Sequence, residues 1–130
     1  MLEPLLRDLS ITKTTVRDYL GDELGTEFFY RHPRTYNRRG IFSIDEPSPT
    51  IRGVNRPIPP RYKLHPNDAT KDINKVRPLT TLERARLQTF PREFVFYGNK
   101  TDLEQMIGNA VPVKLATYVA THILSYMLRN

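Results

Sequence analysis

The order of apolar and polar positions predicts short helices and strands in the first half of the chain. Near the beginning, Thr15 is placed to cap a helix over residues 16–20, which ends at Gly21. Further on, residues 41–44 and 50–52 contain the β-branched and aromatic side chains that are common in strands. The pattern therefore predicts a helical lead-in followed by at least two short strands.

From Arg77 onward the pattern becomes helical. Thr80 and Glu83 have the spacing of a capping box, and Pro91 predicts that the helix stops soon after Phe90. The apolar positions of this helix are Leu82, Ala85 and Leu87.

A last helix is predicted to begin at Pro112, because proline is favoured in the first helical turn. Its apolar residues cover slightly more than one face, which predicts that the helix is buried. These residues are Val113, Leu115, Ala116, Val119, Ala120, Ile123, Leu124, Met127 and Leu128.

The composition limits what such a chain can be. With 130 residues, 38% of them apolar, we expect one small domain or a fragment with a modest core. The absence of cysteine excludes disulfides, thiolate metal ligands and a cysteine nucleophile from these residues, and it fits a reducing compartment. Because no secretory signal or long apolar run is recognisable, we expect a soluble, cytoplasmic protein with no membrane partner.

The net charge of +6 is concentrated in one quarter of the chain. Residues 31–63 contain eight arginines and lysines but only two acidic residues, together with six of the eleven prolines. The prolines exclude a continuous helix there. Two interpretations remain open, namely a solvated basic loop and a surface that binds phosphate groups of a nucleic acid.

Independent catalytic or metal-binding chemistry is not indicated. The six glycines form no nucleotide-binding loop, and no serine lies in a Gly-x-Ser-x-Gly turn. His32, His65 and His122 lack the spacing of metal ligands, so we predict no metal site.

Two segments carry a resemblance to a known family. The first reads Arg77-Pro-Leu-Thr-Thr-Leu-Glu-Arg-Ala-Arg-Leu-Gln-Thr-Phe-Pro91, and the second reads Gln105-Met-Ile-Gly-Asn-Ala-Val-Pro112, followed by Leu115-Ala116. They resemble the ninth and tenth conserved motifs of the DNA cytosine-5 methyltransferases. Residues 15–22 are similar to the segment after the eighth motif of that family, and residues 49–51 are similar to its short Thr-Leu/Ile signature.

The resemblance implies an α+β fold in three parts. Residues 1–30 would be a partly helical lead-in, residues 31–76 a small, irregular, β-rich target-recognition region, and residues 77–130 a helical part. In the family, such a helical part docks on a Rossmann-like catalytic domain, which would here belong to another chain.

The resemblance also shows what these residues lack. The Phe-x-Gly-x-Gly cofactor loop, the Pro-Cys nucleophile, the Glu-Asn-Val motif and the Gln-x-Arg-x-Arg motif of the family are all absent. In the family the cysteine thiolate attacks the cytosine ring before the methyl group is transferred. We therefore assign no catalytic residue to this chain, and predict that it has no methyltransferase activity by itself.

The site residues implied by the resemblance fall into two groups. Those expected at double-stranded DNA are Arg31, Arg34, Tyr36, Arg38, Arg39, Thr50, Ile51 and Arg52. Those expected at the methionine part of S-adenosylmethionine are Asn109, Ala110 and Val111, which would complete a pocket built mostly by the partner chain. The alternative is a plain helix cap, because Gly108 and Asn109 before Pro112 would also make a turn between two helices.

Two functions are consistent with these residues. The first is the DNA-recognition portion of a DNA (cytosine-5-)-methyltransferase, as a small subunit or C-terminal fragment, which would act together with a larger catalytic chain. The second is a freestanding or remnant DNA-binding module without a catalytic role. Retention of the cofactor-edge residues Asn109 and Val111 favours the first function.

Overall fold

The computed structural model of the protein describes residues 13–129, and this part of the chain forms a small sheet followed by helices. In chain order the elements are α1 (Val16–Leu20), β1 (Phe28–Tyr30), β2 (Ile41–Ser43), a 3-10 turn (Ile73–Lys75), β3 (Val76–Pro78), α2 (Thr81–Leu87), α3 (Lys100–Asn109) and α4 (Val113–Arg129). The α+β class is therefore as predicted, and the first of the two predicted strands is present as β2.

Both predicted helix caps are present. The side chain of Thr15 accepts a hydrogen bond from the backbone N–H of Asp18 (3.0 Å), and the Asp18 carboxylate accepts one from the N–H of Thr15 (2.9 Å). Thr80 and Glu83 repeat this capping box at α2, over 3.2 and 2.7 Å. Such reciprocal bonds satisfy N–H groups that the first helical turn leaves without partners.

Helix α2 ends at Leu87, earlier than predicted. Two residues later Thr89 adopts a left-handed backbone with φ of 59°, which continues no α-helix. The chain therefore turns before it reaches Phe90 and Pro91, so the proline is not what stops the helix.

Strand β1 lies at the centre of the three-stranded sheet. It pairs antiparallel with β2, where Phe29 is opposite Phe42, and parallel with β3, where Phe29 is opposite Arg77. Arg77 is therefore a strand residue, and helix α2 begins four residues later. The sequence pattern did not predict β1 or β3, which pair with each other although they lie far apart in the chain.

The predicted strand over residues 50–52 is wrong. This segment belongs to none of the strands in the described part of the chain. The backbone carbonyl of Arg52 instead accepts a hydrogen bond from the side chain of Arg84. A side chain thus takes the place that a neighbouring strand would occupy.

The buried residues form three clusters. The first lies between α1 and one face of the sheet and contains Val16, Leu20, Leu24, Phe29, Phe42, Ile44 and Leu79. The second lies on the opposite face and contains Tyr30, Ile41 and Val76. The third joins the segment after β2 to α2 and α3, and contains Ile51, Ala85 and Ile107.

Helix α4 contradicts the predicted burial, because none of its described residues is buried. Its first turn is attached through the N–H groups of Val113 and Lys114, which donate to Gln88 and Thr89. Beyond that turn the apolar side chains remain accessible, including Leu124, Met127 and Leu128. The described residues do not supply a surface large enough to cover them.

Candidate nucleic-acid interface

The loop between β1 and β2 presents three of the predicted DNA-binding side chains to solvent. Tyr36 is fully exposed (100%), and Arg34 and Arg38 are also exposed. Among residues 13–129, neither arginine forms a salt bridge. These guanidinium groups therefore keep their hydrogen-bond donors available for another molecule.

Arg39, which follows directly, is engaged within the chain. Its guanidinium forms two hydrogen bonds with the Glu46 carboxylate, at 2.6 and 3.3 Å, and lies 4.3 Å from the centre of the Phe42 ring. Burial acts to raise the pKa of Glu46, but the bonds from Arg39 and the Ser43 N–H outweigh it and lower that pKa. The structure thus places Arg39 as a brace of the β2 turn.

Arg31, the residue after the central strand β1, is joined to Thr50. Nη1 of Arg31 donates a 2.8 Å hydrogen bond to the Thr50 carbonyl. Burial, followed by the neighbouring cations Arg52, Arg38 and Arg39, lowers the pKa of Arg31. Because this bond holds the Thr50 backbone, the exposed Thr50 side chain stands at a fixed place beside the sheet.

Ile51 and Arg52 anchor the same segment to the rest of the protein. Ile51 is only 8% exposed and packs with Ala85 and Ile107. Arg52 donates to the backbone carbonyl of His32, and its own carbonyl accepts from Arg84. Of the predicted segment, Thr50 is therefore exposed and Arg52 half-buried, whereas Ile51 belongs to the core.

A buried ion pair lies below this segment, between α2 and α3. The side chains of Arg84 and Glu104 contact each other and are only 5% and 6% exposed. The carboxylate also accepts from Thr81 (2.6 Å) and Asn55 (3.2 Å). Burial lowers the pKa of Arg84 to about 10, which leaves the guanidinium charged at neutral pH. Sequence spacing gave no signal of this pair.

At Gly108, helix α3 lies directly against the basic segment, which we define as residues 31–63. A Cβ atom on Gly108 would overlap the backbone of Arg52 and Gly53. Glycine is therefore required here by contact, not by a turn. Residues 108 and 109 are the last two residues of α3, whose C-cap is Ala110, so the connection to α4 begins after them.

Gln88 fixes the connection between α3 and α4. Its side-chain amide donates to the carbonyls of Ile107 (2.8 Å) and Ala110 (3.0 Å), and the backbone carbonyl of Gln88 accepts from the N–H of Val113 (3.1 Å). The hydroxyl of Thr89 accepts from the N–H of Lys114 (2.9 Å). The segment after α2 therefore caps α4 and holds the predicted cofactor-edge residues in place.

The three predicted cofactor-edge residues differ in exposure. Asn109 is exposed, Ala110 is half-buried, and Val111 is 61% exposed. Together they offer one polar and one apolar side chain at an open edge. This is compatible with one wall of a pocket for a ligand that has polar and apolar parts.

A cleft of about 290 Å³ brings both groups of predicted residues together. Its walls include Thr50 and Ile51 from the basic segment, Gln88 from the end of α2, and Gly108 and Ala110 from α3 and its cap. The segment expected at DNA and the segment expected at the cofactor are thus direct neighbours, which neither charge nor hydropathy indicated.

Among residues 13–129, no group of histidine or acidic side chains has the geometry of a metal site. In the same part of the chain, no helix is long and apolar enough to cross a membrane.

The sequence matches known proteins along nearly its whole length. The family model described as C-5 cytosine-specific DNA methylase matches residues 8–125. A Type II methyltransferase, M.HindV of Haemophilus influenzae, is 63% identical over 127 residues, which cover 97% of this chain and 42% of that protein. A second, M.HgiDI of Herpetosiphon aurantiacus, is 58% identical over 123 residues, which cover 95% of this chain and 40% of that protein.

A shorter match carries the more explicit name. The DNA (cytosine-5-)-methyltransferase M.ApeKI of Aeropyrum pernix is 55% identical over 42 residues, which cover 32% of this chain and 9% of that protein. No solved structure matches the chain. The chain spans about two fifths of the length of M.HindV and M.HgiDI.

Proposed function

Since the chain belongs to the C-5 cytosine-specific DNA methylase family, we propose that it is the DNA-recognition portion of an S-adenosylmethionine-dependent DNA (cytosine-5-)-methyltransferase. It would act as a small subunit or C-terminal fragment together with a larger catalytic chain. The observation that carries the proposal is the cleft in which the exposed basic segment meets the residues expected at the cofactor.

DNA binding is assigned to the region of residues 31–76. Arg34 and Arg38 are exposed, have no salt bridge within the described residues, and belong to the part of the chain that holds the excess positive charge. Unpaired guanidinium groups attract phosphate oxygens and base-edge acceptors alike. We expect weak and salt-sensitive binding to duplex DNA, because the chain supplies only one side of the complex.

Cofactor binding is assigned to the end of α3. Asn109 offers a polar side chain and Val111 an apolar one, and Gln88 holds the backbone of Ala110 between them. These residues fit one edge of a pocket for S-adenosylmethionine, which supplies the methyl group when it is bound. The other walls would come from the catalytic chain.

Docking on that catalytic chain is assigned to α4. The described residues of this helix expose a row of apolar side chains over its whole length. An apolar helical surface of this size is favourable only when another surface covers it. We infer that a Rossmann-like catalytic domain covers it, because the family motifs missing from this chain belong to such a domain. The exposed residues include Leu115, Val119, Ile123 and Leu124.

The test is reconstitution. The purified chain, the part of M.HindV that this chain does not match, and their mixture are each incubated with duplex DNA and radiolabelled S-adenosylmethionine. We expect methyl transfer to DNA only in the mixture, because neither part holds a complete site. The same DNA is used to measure binding by the chain alone.

The outcomes separate the two functions considered from the sequence. Methyl transfer by the chain alone would refute the assignment of the chemistry to a partner. DNA binding by the chain without any activity in the mixture would instead favour a DNA-binding module that has no catalytic role.

A further inference from the structure

A cationic cleft of about 270 Å³ lies between the β1–β2 loop and the segment that follows residue 51. It is separate from the cleft that contains Gly108 and Ala110. The lining residues are His32, Pro33, Arg34, Arg52, Val54 and Arg56. Arg56 and His32 were not among the residues expected at DNA.

The lining contains three arginines and no carboxylate. Among residues 13–129, none of the three arginines forms a salt bridge, whereas six other arginines do. Three cations that face one small volume repel each other unless an anion lies between them. No acidic side chain of this lining can supply such an anion, so an anion bound in the cleft would come from another molecule.

One wall of the cleft is held in place by hydrogen bonds, and two exposed arginine side chains complete the lining. Arg52 is held through its bond to the His32 carbonyl, and the Tyr30 hydroxyl lies 3.0 Å from Nδ1 of His32. Burial, then the cations Arg56 and Arg52, lowers the pKa of His32, which keeps its ring neutral at physiological pH. Arg34 and Arg56 are exposed and reach the cleft from two different segments.

We propose that this cleft clamps one backbone phosphate of duplex DNA, with Arg34, Arg52 and Arg56 as its ligands. The proposal rests on the proposed function, since it needs a chain that binds DNA. A guanine edge is filled by one bidentate guanidinium, whereas a phosphate group offers oxygens to several. A lining that contains three arginines therefore favours a phosphate over a base. In this role, the cleft sets the position of the DNA strand without reading its sequence.

The experiment measures binding of the full chain to fluorescein-labelled duplexes by fluorescence anisotropy. The variants are Arg34→Gln and Arg56→Gln, both at exposed positions, and circular dichroism confirms that each is folded. Lys100→Gln is the control, because Lys100 is an exposed cation that lies outside residues 31–76 and outside this lining. Each protein is titrated over a range of salt concentrations on several unrelated sequences.

We expect each cleft variant to bind every duplex about tenfold more weakly, and the negative slope of log K against log salt to become shallower by about 0.9. Lys100→Gln should leave the slope unchanged. An unchanged slope in both cleft variants, or a loss confined to one DNA sequence, would overturn the phosphate clamp while leaving DNA binding intact. Absence of binding by the unmodified chain would overturn the proposed function as well.

Discussion

Arg34, Arg38 and Arg56 in the basic segment have no carboxylate partner among the described residues, whereas four arginines between residues 77 and 92 each have one. The pairs are Arg77 with Glu83, Arg84 with Glu104, and both Arg86 and Arg92 with Glu23. Arginines therefore have two uses: in the helical part they form stabilising ion pairs, and in the recognition region some of them remain available to a ligand. What distinguishes the two uses is whether a carboxylate pairs with the arginine, more than the local density of charge.

The sharpest way to break this comparison is to remove the carboxylate of the buried pair. Glu104→Ala leaves the Arg84 guanidinium buried and without its counter-ion, which typically costs about 3–5 kcal/mol. We expect a loss of that size in the free energy of unfolding, measured by urea denaturation with circular dichroism. The double variant Arg84→Met/Glu104→Leu is the control, and should recover much of the loss because it buries no charge. A loss below about 1 kcal/mol in the single variant would show that the pair is not structural.

A second test addresses the contact between the two regions. Gly108→Ala places a methyl group against the backbone of Arg52 and Gly53, so the basic segment must move away from α3. Overpacking of this kind costs about 2–3 kcal/mol of unfolding free energy. Gly53→Ala is the matched control, because a Cβ there would have its nearest neighbour at 3.5 Å, an ordinary contact. Equal stability of both variants would contradict the close approach at Gly108.

A third test compares how the recognition region is itself held. Asp68 accepts hydrogen bonds from the N–H groups of Gly40, Ile41 and His65 and from the Tyr62 hydroxyl, between 2.8 and 3.1 Å. Burial acts to raise its pKa, but these bonds outweigh it and lower the pKa below the usual value. Here backbone N–H groups and the Tyr62 hydroxyl, not an arginine, stabilise the buried, ionised carboxylate.

The direction of the shift fixes the pH dependence. Because the pKa of Asp68 is lower in the folded state, its contribution is complete above the unfolded value of about 3.9 and is lost as pH falls through the folded value. Asp68→Asn should cost about 1–2 kcal/mol at neutral pH and weaken the pH dependence of unfolding below pH 4. A variant that keeps the full loss of stability in acid would show that other carboxylates cause it.

The smallest expected effects come from two adjacent residues. Arg39→Gln removes the bonds to Glu46 and should cost about 0.5–1 kcal/mol of unfolding free energy. Arg38→Gln should leave stability unchanged but weaken DNA binding, because Arg38 has no salt bridge among residues 13–129. Urea denaturation and anisotropy on the same pair of variants measure both effects. The reverse pattern would contradict the division into braced and free arginines.

Features set by neighbouring residues were predictable from the sequence. The Thr15 and Thr80 caps depend on side chains three residues away, so their spacing is visible in the chain itself. Strands β1 and β3 were missed because Phe28 pairs with Val76, and nothing in two such distant tripeptides indicates that they meet. Helix α3 was missed because Gly108 suggested a turn, whereas it serves a close contact within the helix.

The candidate site was predictable only in outline. The concentration of basic residues correctly located exposed arginines such as Arg34 and Arg38. It did not distinguish them from Arg39, because the bond to Glu46 depends on the fold of the β2 turn. Arg56 was overlooked although it lies in the same basic window, since only the folded chain brings it beside Arg34 and Arg52. Net charge identifies a region that can bind an anion, but the role of each arginine depends on whether another side chain pairs with it.

The contact at Gly108 also bears on protein engineering. The basic segment is not a free insert between two helices, because its backbone rests on α3 and on the Arg84–Glu104 pair. A chimera that exchanges residues 31–76 between two relatives keeps this contact only if the exchanged segment and the helices that it rests on come from the same relative. The exchangeable unit is therefore discontinuous in sequence: it consists of the basic segment together with positions 84, 104 and 108.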